Sequence, residues 1–258
     1  MSHRPRKRFG QNFLHDQGVI ERILGYVNPL PSQKLVEIGP GQGALTRGLL
    51  QRAGRIDAVE LDRDLLEPLQ RSCGRYGELR LHNADALAFD FRQLAEDGAK
   101  LRLVGNLPYN ISTPLLFHLV DQADVISDMH FMLQKEVVDR MAAGPGTKTY
   151  GRLSVMLQVS CDVKPLFNIG PESFDPPPKV DSSVVRLAPL PEPRLRRDLI
   201  PAFGQFVTQA FSQRRKTLRN NLKGLADTDT IIAAGIDPGC RTETLAIDDL
   251  IGLFQALS

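Results

Sequence analysis

Between residues 34 and 135 the chain alternates short apolar runs with segments of helical period, and this alternation limits its fold more than any other feature. Lys34–Ile38, Ile56–Leu61, Leu79–Leu81, Leu101–Gly105 and Met129–Leu133 read as strands. Between them Leu45–Ala53, Asp64–Cys73, Phe91–Glu96 and Leu115–Gln122 repeat apolar residues at helical spacing. Strands alternating with helices predict an α/β fold with a parallel, doubly wound sheet. Thr113-Pro114 reads as a helix cap followed by proline in the first helical position. After Lys135–Ala143 the Gly144-Pro145-Gly146 cluster breaks the pattern. Leu153–Ser160, Val163–Ile169 and Ser183–Leu187 then read as further strands, added antiparallel to one edge.

Pro189, Pro191 and Pro193 mark a boundary. Beyond it Leu199, Phe203, Phe206, Val207 and Ala210 recur at three- and four-residue spacing, and Leu218, Leu222 and Leu225 continue the pattern. The expected division is a sheet domain over 1–188, with a basic arm over 1–14, and a small all-helical domain over 194–258. A 258-residue chain with 42 % apolar and 24 % charged residues is neither fibrous nor disordered. No apolar run reaches the roughly 18–20 residues of a membrane span. The basic N-terminus lacks the apolar core of a secretory signal. Cys73, Cys161 and Cys240 are widely spaced, as are the five histidines, so neither a disulfide framework nor a metal site is expected. The expected compartment is the cytoplasm.

The net charge of +2 conceals a segregation. Arg194–Lys223 holds eight Arg and Lys against one acid, Asp198, whereas 224–258 holds one base against six acids. The first ten residues add four bases and no acid. Clustered cations of this kind point to a polyanionic partner, whose counterions they release on binding.

Val36-Glu37-Ile38-Gly39-Pro40-Gly41-Gln42-Gly43 ends a strand and opens a helix. The third glycine comes one position too early for a dinucleotide fingerprint. A GxGxG loop preceded by an acid is the form found in class I methyltransferases, whose S-adenosylmethionine carries no phosphate and has a positively charged methionine end. Glu37 suits a cation better than a pyrophosphate. Glu60 closes the second apolar run 21 residues after Gly39, the place from which an acid accepts both ribose hydroxyls. Asp62 is then free to cap the next helix. Asp85, after the third strand, stands where a carboxylate can accept from the adenine amine of the cofactor.

The fourth strand runs into Asn106-Leu107-Pro108-Tyr109. Such a turn suits methylation of a planar amine. The exocyclic nitrogen of adenine shares its lone pair with the ring and is a poor nucleophile. The Asn106 side-chain oxygen and the Leu107 carbonyl can accept its two N–H bonds, favouring a pyramidal nitrogen. Pro108 fixes the turn, and Tyr109 offers a ring for stacking. Catalysis is then positioning and electrostatics, on a base taken out of its stack.

Further segments extend the pattern: Arg8-Phe9-Gly10-Gln11-Asn12-Phe13-Leu14, Asn110-Ile111-Ser112, Gln134-Lys135-Glu136-Val137, Tyr150–Val155, Phe174–Ser182 and Arg214-Arg215-Lys216-Thr217-Leu218. Together these motifs resemble, over nearly the whole chain, the ribosomal RNA adenine dimethyltransferases of the KsgA/RsmA type. The resemblance implies a class I S-adenosylmethionine-dependent, Rossmann-like sheet with antiparallel edge strands and a small all-α C-terminal domain. It implies that Asn12, Leu14, Gly39, Gly41, Glu60, Asp85 and Asn106 contact S-adenosylmethionine, with S-adenosylhomocysteine as product. Phe174 would face Tyr109 across the target base, although from the residue alone it reads as a core anchor. Arg6, Lys7, Arg8, Arg214, Arg215, Lys216, Arg219 and Lys223 would contact RNA. Of these, Arg215, Arg219 and Lys223 are spaced to share one helix face.

The same resemblance implies dimethylation of two adjacent adenines in the 3′-terminal hairpin loop of 16S rRNA. The substrate would be a pre-30S or 30S particle late in assembly, and the enzyme a monomer. Three alternatives differ in kind. The related Erm-type enzymes modify large-subunit rRNA, and Asn110-Ile111-Ser112 and Phe174–Ser182 argue for the small-subunit type. A binding factor that has lost the chemistry would not need Glu60, Asp85 and Asn106–Tyr109 intact. A DNA adenine methyltransferase would need a target-recognition domain, which the short C-terminal unit does not offer.

Overall fold

The computed structural model describes residues 12–95 and 98–257. The chain divides into two compact units, one formed up to Val138 together with Lys164–Pro189, the other by Asp139–Val163 and from Leu190 onward.

The first unit is built on a seven-stranded sheet. Its strands are β2 (Lys34–Ile38), β3 (Arg55–Glu60), β4 (Glu78–Asn83), β5 (Leu101–Asn106), β6 (Ile126–Gln134), β7 (Cys161–Ile169) and β9 (Ser182–Pro189). They lie in the order β4-β3-β2-β5-β6-β9-β7. The five from β4 to β6 are parallel, and β9 joins β6 antiparallel. A two-stranded antiparallel pair joins β1 (Phe13–Leu14) to β8 (Phe174–Asp175).

Helices α1 (Gln17–Val27), α2 (Thr46–Ala53), α3 (Arg63–Cys73) and α4 (Ser112–Val120) link these strands. Each begins or ends for a local reason. Asp16 caps α1 by accepting from the Gly18 and Val19 N–H groups, at 2.8 and 3.1 Å. Asp62 caps α3 from the Asp64 N–H, as its position predicts. Buried Leu24, Val27, Leu35, Leu49 and Ile56 belong to one apolar cluster.

Two local expectations are corrected here. Helix α4 begins at Ser112 with Ile111 before it, so Pro114 occupies the third helical position, not the first. The first turn has no intrahelical acceptors for its N–H groups, and proline fits anywhere in it. In the segment expected as a helix over Phe91–Glu96, whose last residue lies outside the described residues, Phe91–Leu94 form one tight 3₁₀ turn, held where the Phe91 N–H donates to Gln122 Oε1 at 2.7 Å.

The second unit is helical. It contains α6 (Arg152–Gln158), α7 (Ile200–Ala210), α8 (Leu218–Asn221), α9 (Thr228–Ala233) and α10 (Ile247–Ala256). The helix α5 (Lys135–Met141) carries the chain from one unit to the other. Leu153–Ser160, expected as a strand, is therefore helical over most of its length. Residues 153–157 are all buried, so the run is apolar on every side and its period identifies neither helix nor strand. Polar bonds then favour the helix: the Gly151 N–H donates to Ser154 Oγ at 3.2 Å, and Gln158 Nε2 donates to the Met141 and Ala143 carbonyls at 2.8 and 2.9 Å. Residues 139–163 thus belong with the helical unit, whereas the sequence-based boundary counts them with the sheet. Phe203, Phe206 and Phe254 pack ring against ring in its core.

Candidate active site

The sheet order reverses at β2, whose neighbours β3 and β5 are reached by connections in opposite directions. Such a switch point opens a crevice beyond the strand C-termini. A cavity of about 330 Å³ lies there, lined by residues 12–14, the glycine loop, Glu60 and Leu61, residues 84–86 and residues 106–111. Close backbone approach shapes it. Gly41 has φ 57°, and a Cβ on it would stand 3.1 Å from Phe13 Cε1. A Cβ on Gly105 would meet the Ile38 carbonyl oxygen at 2.4 Å, so β2 and β5 can converge under the loop only with glycine there.

Two buried carboxylates line this cavity. Glu60, at the end of β3, accepts from the Asp62 N–H on Oε1 at 2.8 Å and from the Gly41 N–H on Oε2 at 3.2 Å. These bonds hold the glycine loop to the neighbouring strand. Burial still pushes the Glu60 carboxyl above its ordinary value, against the lowering effect of the backbone donors. Glu37, at the end of β2, is more extreme. Burial pushes its carboxyl up to about 8, opposed by the bond from Thr46 and reinforced by the Glu60 charge. The Thr46 hydroxyl donates to Glu37 Oε2 at 2.6 Å.

Asp85 lines the cavity too, and its Oδ1 accepts from the Leu87 N–H at 2.9 Å, so it shapes a turn as well. Asn106 Nδ2 donates to the Asn12 carbonyl at 2.9 Å. A carbonyl can only accept, so the amide nitrogen must face Asn12 and Oδ1 must turn the other way. In the same turn, the Pro108 carbonyl accepts from the Ile111 N–H and the Ser112 hydroxyl, at 3.2 and 3.0 Å. The Leu107 carbonyl receives no backbone bond among the described residues. Two acceptors are thereby left for an amine, Asn106 Oδ1 and the Leu107 oxygen. Tyr109 lines the cavity with its hydroxyl 2.6 Å from Ser182 Oγ.

The structure thus brings Asn12, Leu14, Gly39, Gly41, Glu60, Asp85 and Asn106–Tyr109 to one cavity. It does not bring Phe174 there. Phe174 is 3 % exposed, opposite Leu14 in the β1–β8 pair and within the apolar cluster, so its ring is occupied by packing. Arg6, Lys7 and Arg8 lie outside the described residues. Arg214, Arg215, Lys216, Arg219 and Lys223 are all exposed in the second unit. The shared helix face expected for Arg215, Arg219 and Lys223 is not formed, because α8 spans only Leu218–Asn221. Thr217, extended at ψ 159°, interrupts the helical run that the leucine spacing predicts. Sequence reasoning gave no role to Thr46, Phe13 or Ser182. A polar Thr beside a buried acid was the one available signal.

A doubly wound sheet with a glycine loop at its switch point, an acid at the end of the next strand and an Asn-x-Pro-Tyr turn defines a class I S-adenosylmethionine-dependent methyltransferase. The wall fits that cofactor. Burial disfavours the ionised form of Glu37, and a cationic group beside it would restore that form, which the positive methionine end can do and a pyrophosphate cannot.

The family model for ribosomal RNA adenine dimethylase matches residues 2–258. The ribosomal RNA small subunit methyltransferase A of Nitrosococcus oceani is 58 % identical over 98 % of this chain and 96 % of its own length. That of Methylococcus capsulatus is 57 % identical over the whole of both. Among solved structures, a dimethyladenosine transferase from Plasmodium falciparum superposes with TM-score 0.81 at 26 % identity, covering 93 % of this chain and 95 % of that one. The 23S rRNA methyltransferase ErmE gives 0.74 at 25 % identity, covering 95 % and 99 %. The chain belongs to the ribosomal RNA adenine dimethylase family. It is an rRNA adenine methyltransferase that uses S-adenosylmethionine. Among the described residues no helix is long and apolar enough to cross a membrane, and no group of three or more His, Cys, Asp or Glu is gathered to hold a metal.

Proposed function

We propose that the enzyme dimethylates the exocyclic amines of two adjacent adenines in the 3′-terminal hairpin loop of 16S rRNA. It does so in the cytoplasm, as a monomer, on a pre-30S or 30S particle late in small-subunit assembly. The observation that carries the reading is the pair of open acceptors in the Asn106–Tyr109 turn, Asn106 Oδ1 and the Leu107 carbonyl, at the rim of the cofactor cavity. Small-subunit rRNA as the substrate is supported by relatives named for that subunit at 57–58 % identity.

S-adenosylmethionine, when bound, supplies an activated methyl group. Glu60 and Asp85 would hold its ribose and adenine, Asn12, Leu14, Gly39 and Gly41 would line its place, and Glu37 would meet its positive end. Asn106 Oδ1 and the Leu107 oxygen accept from the target amine, draw its hydrogens to one side and turn its lone pair toward the methyl group. The Tyr109 ring stacks on the base, worth roughly 1–3 kcal/mol. No strong general base is needed, since the nitrogen becomes acidic as the new bond forms. After one transfer the amine keeps a single N–H, so the two acceptors cannot both be engaged in the second. Asn106 therefore acts as an orienting acceptor in each step rather than as half of an obligatory pair. Arg214, Arg215, Lys216, Arg219 and Lys223, with Arg6, Lys7 and Arg8, bind rRNA phosphates.

The test is methyl transfer from labelled S-adenosylmethionine to small subunits lacking the modification, to large subunits and to duplex DNA, with the labelled nucleoside identified. Dimethyladenosine from the small subunit alone is expected. Label in large-subunit RNA would assign the enzyme to the ErmE-like activity instead.

A further inference from the structure

Tyr109 has a split environment. Its ring forms part of the cavity wall, while its hydroxyl lies 2.6 Å from Ser182 Oγ. Ser182 is fully enclosed, at the head of β9 and opposite Gln134 of β6. It does not line the cavity, so it touches nothing held there. Burial raises the Tyr109 hydroxyl above its ordinary value, against the bond to Ser182, so the group is a neutral phenol. A half-buried phenol is best served by a partner inside the protein, and the bond to Ser182 supplies one.

The bond has a mechanical consequence. A tyrosine ring is anchored at Cβ and otherwise swings about two side-chain torsions. A hydrogen bond at the far end of the ring fixes it at both ends, and thereby fixes the plane it presents to the cavity. We propose that Ser182 is a positioning residue for methyl transfer: its hydroxyl holds the Tyr109 ring in the plane on which the target adenine stacks. This rests on the stacking role given to Tyr109 above. It also makes Tyr109 a recogniser by its face alone, because its hydroxyl is spent inside the protein.

The experiment compares S182A, Y109F, the S182A/Y109F double variant and Y109A as full-length enzymes, on small subunits lacking the modification. The rate of the transfer step and the dissociation constant for S-adenosylhomocysteine are both measured. S182A and Y109F break the same bond from opposite ends. Each is expected to slow transfer about three- to tenfold, the range of one neutral hydrogen bond, with cofactor affinity unchanged. The double variant should be no slower than either single one. Y109A loses the ring itself and should be slower by roughly tenfold to a hundredfold. A Ser182 that merely supports the fold would lower stability but leave the Tyr109 comparison multiplicative, and that result overturns the proposal. Y109F at the unaltered rate overturns it too, even if S182A does not fold. If Y109A also keeps the full rate, the stacking role itself is wrong. If only Y109A is slow, stacking stands and Ser182 has no part in it.

Discussion

Replacing Glu37 by Gln should change how the stability of the enzyme depends on pH. Glu37 is 2 % exposed, and burial raises its carboxyl from 4.5 to about 8. Between those values the folded protein keeps the proton while the unfolded chain has released it. The unfolded state therefore binds fewer protons, and stability falls as pH rises through the interval, levelling off above about 8. One proton corresponds to about 1.4 kcal/mol per pH unit at the steepest, so the loss across the interval is on the order of 4 kcal/mol. Glutamine keeps an oxygen for the Thr46 hydroxyl, now 2.6 Å from the carboxylate, but cannot ionise.

Thermal unfolding of the two proteins without cofactor, at half-unit steps from pH 5 to pH 9, reads this directly. At roughly 2–4 °C per kcal/mol for a chain of this size, the unfolding temperature of E37Q relative to the parent should climb by about 10 °C between pH 5 and pH 8. Groups that do not interact with Glu37 titrate alike in both proteins and cancel from the difference, whereas Glu60, whose charge helps to raise Glu37, is read together with it. A difference that stays flat would mean that Glu37 is already ionised in the folded cavity, and the account of an acid wall awaiting a cation would be wrong.

Three other variants probe the site and the surface. E60Q leaves one of the two N–H donors, from Gly41 or Asp62, facing an amide N–H2 group; calorimetry with S-adenosylhomocysteine should show affinity reduced about tenfold to a hundredfold, from a charge-assisted bond worth roughly 1.5–3 kcal/mol. N106D cannot donate to the Asn12 carbonyl, so the transfer rate should fall for both methylations, read by separating mono- from dimethyladenosine, and unchanged rates would remove the orienting role of that bond. R215A/R219A should weaken binding to the small-subunit particle and flatten its dependence on salt while cofactor affinity holds, and an unchanged slope would take both residues out of phosphate contact.

What could be read from the sequence was whatever depends on neighbours along the chain. The run Lys34–Ile38 is a strand over its whole predicted length, and Asp62 caps α3 as its position beside Glu60 predicts. The glycine loop, Glu60, Asp85 and the Asn106 turn fall at strand ends, and strand ends in a doubly wound sheet converge by topology. Where local pattern was ambiguous the reading went astray. Residues 153–157 have no polar face, so a buried helix there looks like a buried strand. The spacing of Arg215, Arg219 and Lys223 is helical, but a helix needs a continuous backbone, and α8 is a single turn. Contacts between distant residues were beyond reach. The Tyr109–Ser182 bond spans 73 residues and the Asn106–Asn12 bond 94. A tyrosine in a turn announces that its hydroxyl can take a partner without saying which.

The bond to Asn12 ties the chemistry to the N-terminal strand. The Asn12 carbonyl turns the Asn106 amide, and the next residue, Phe13, lies against Gly41 of the glycine loop. Leu14 then pairs with Phe174 in the β1–β8 ladder. Three consecutive residues thus meet Asn106, the glycine loop and the strand that carries Phe174. The orientation that the proposed mechanism asks of Asn106 therefore depends on the same N-terminal segment that lines the cofactor cavity through Asn12 and Leu14.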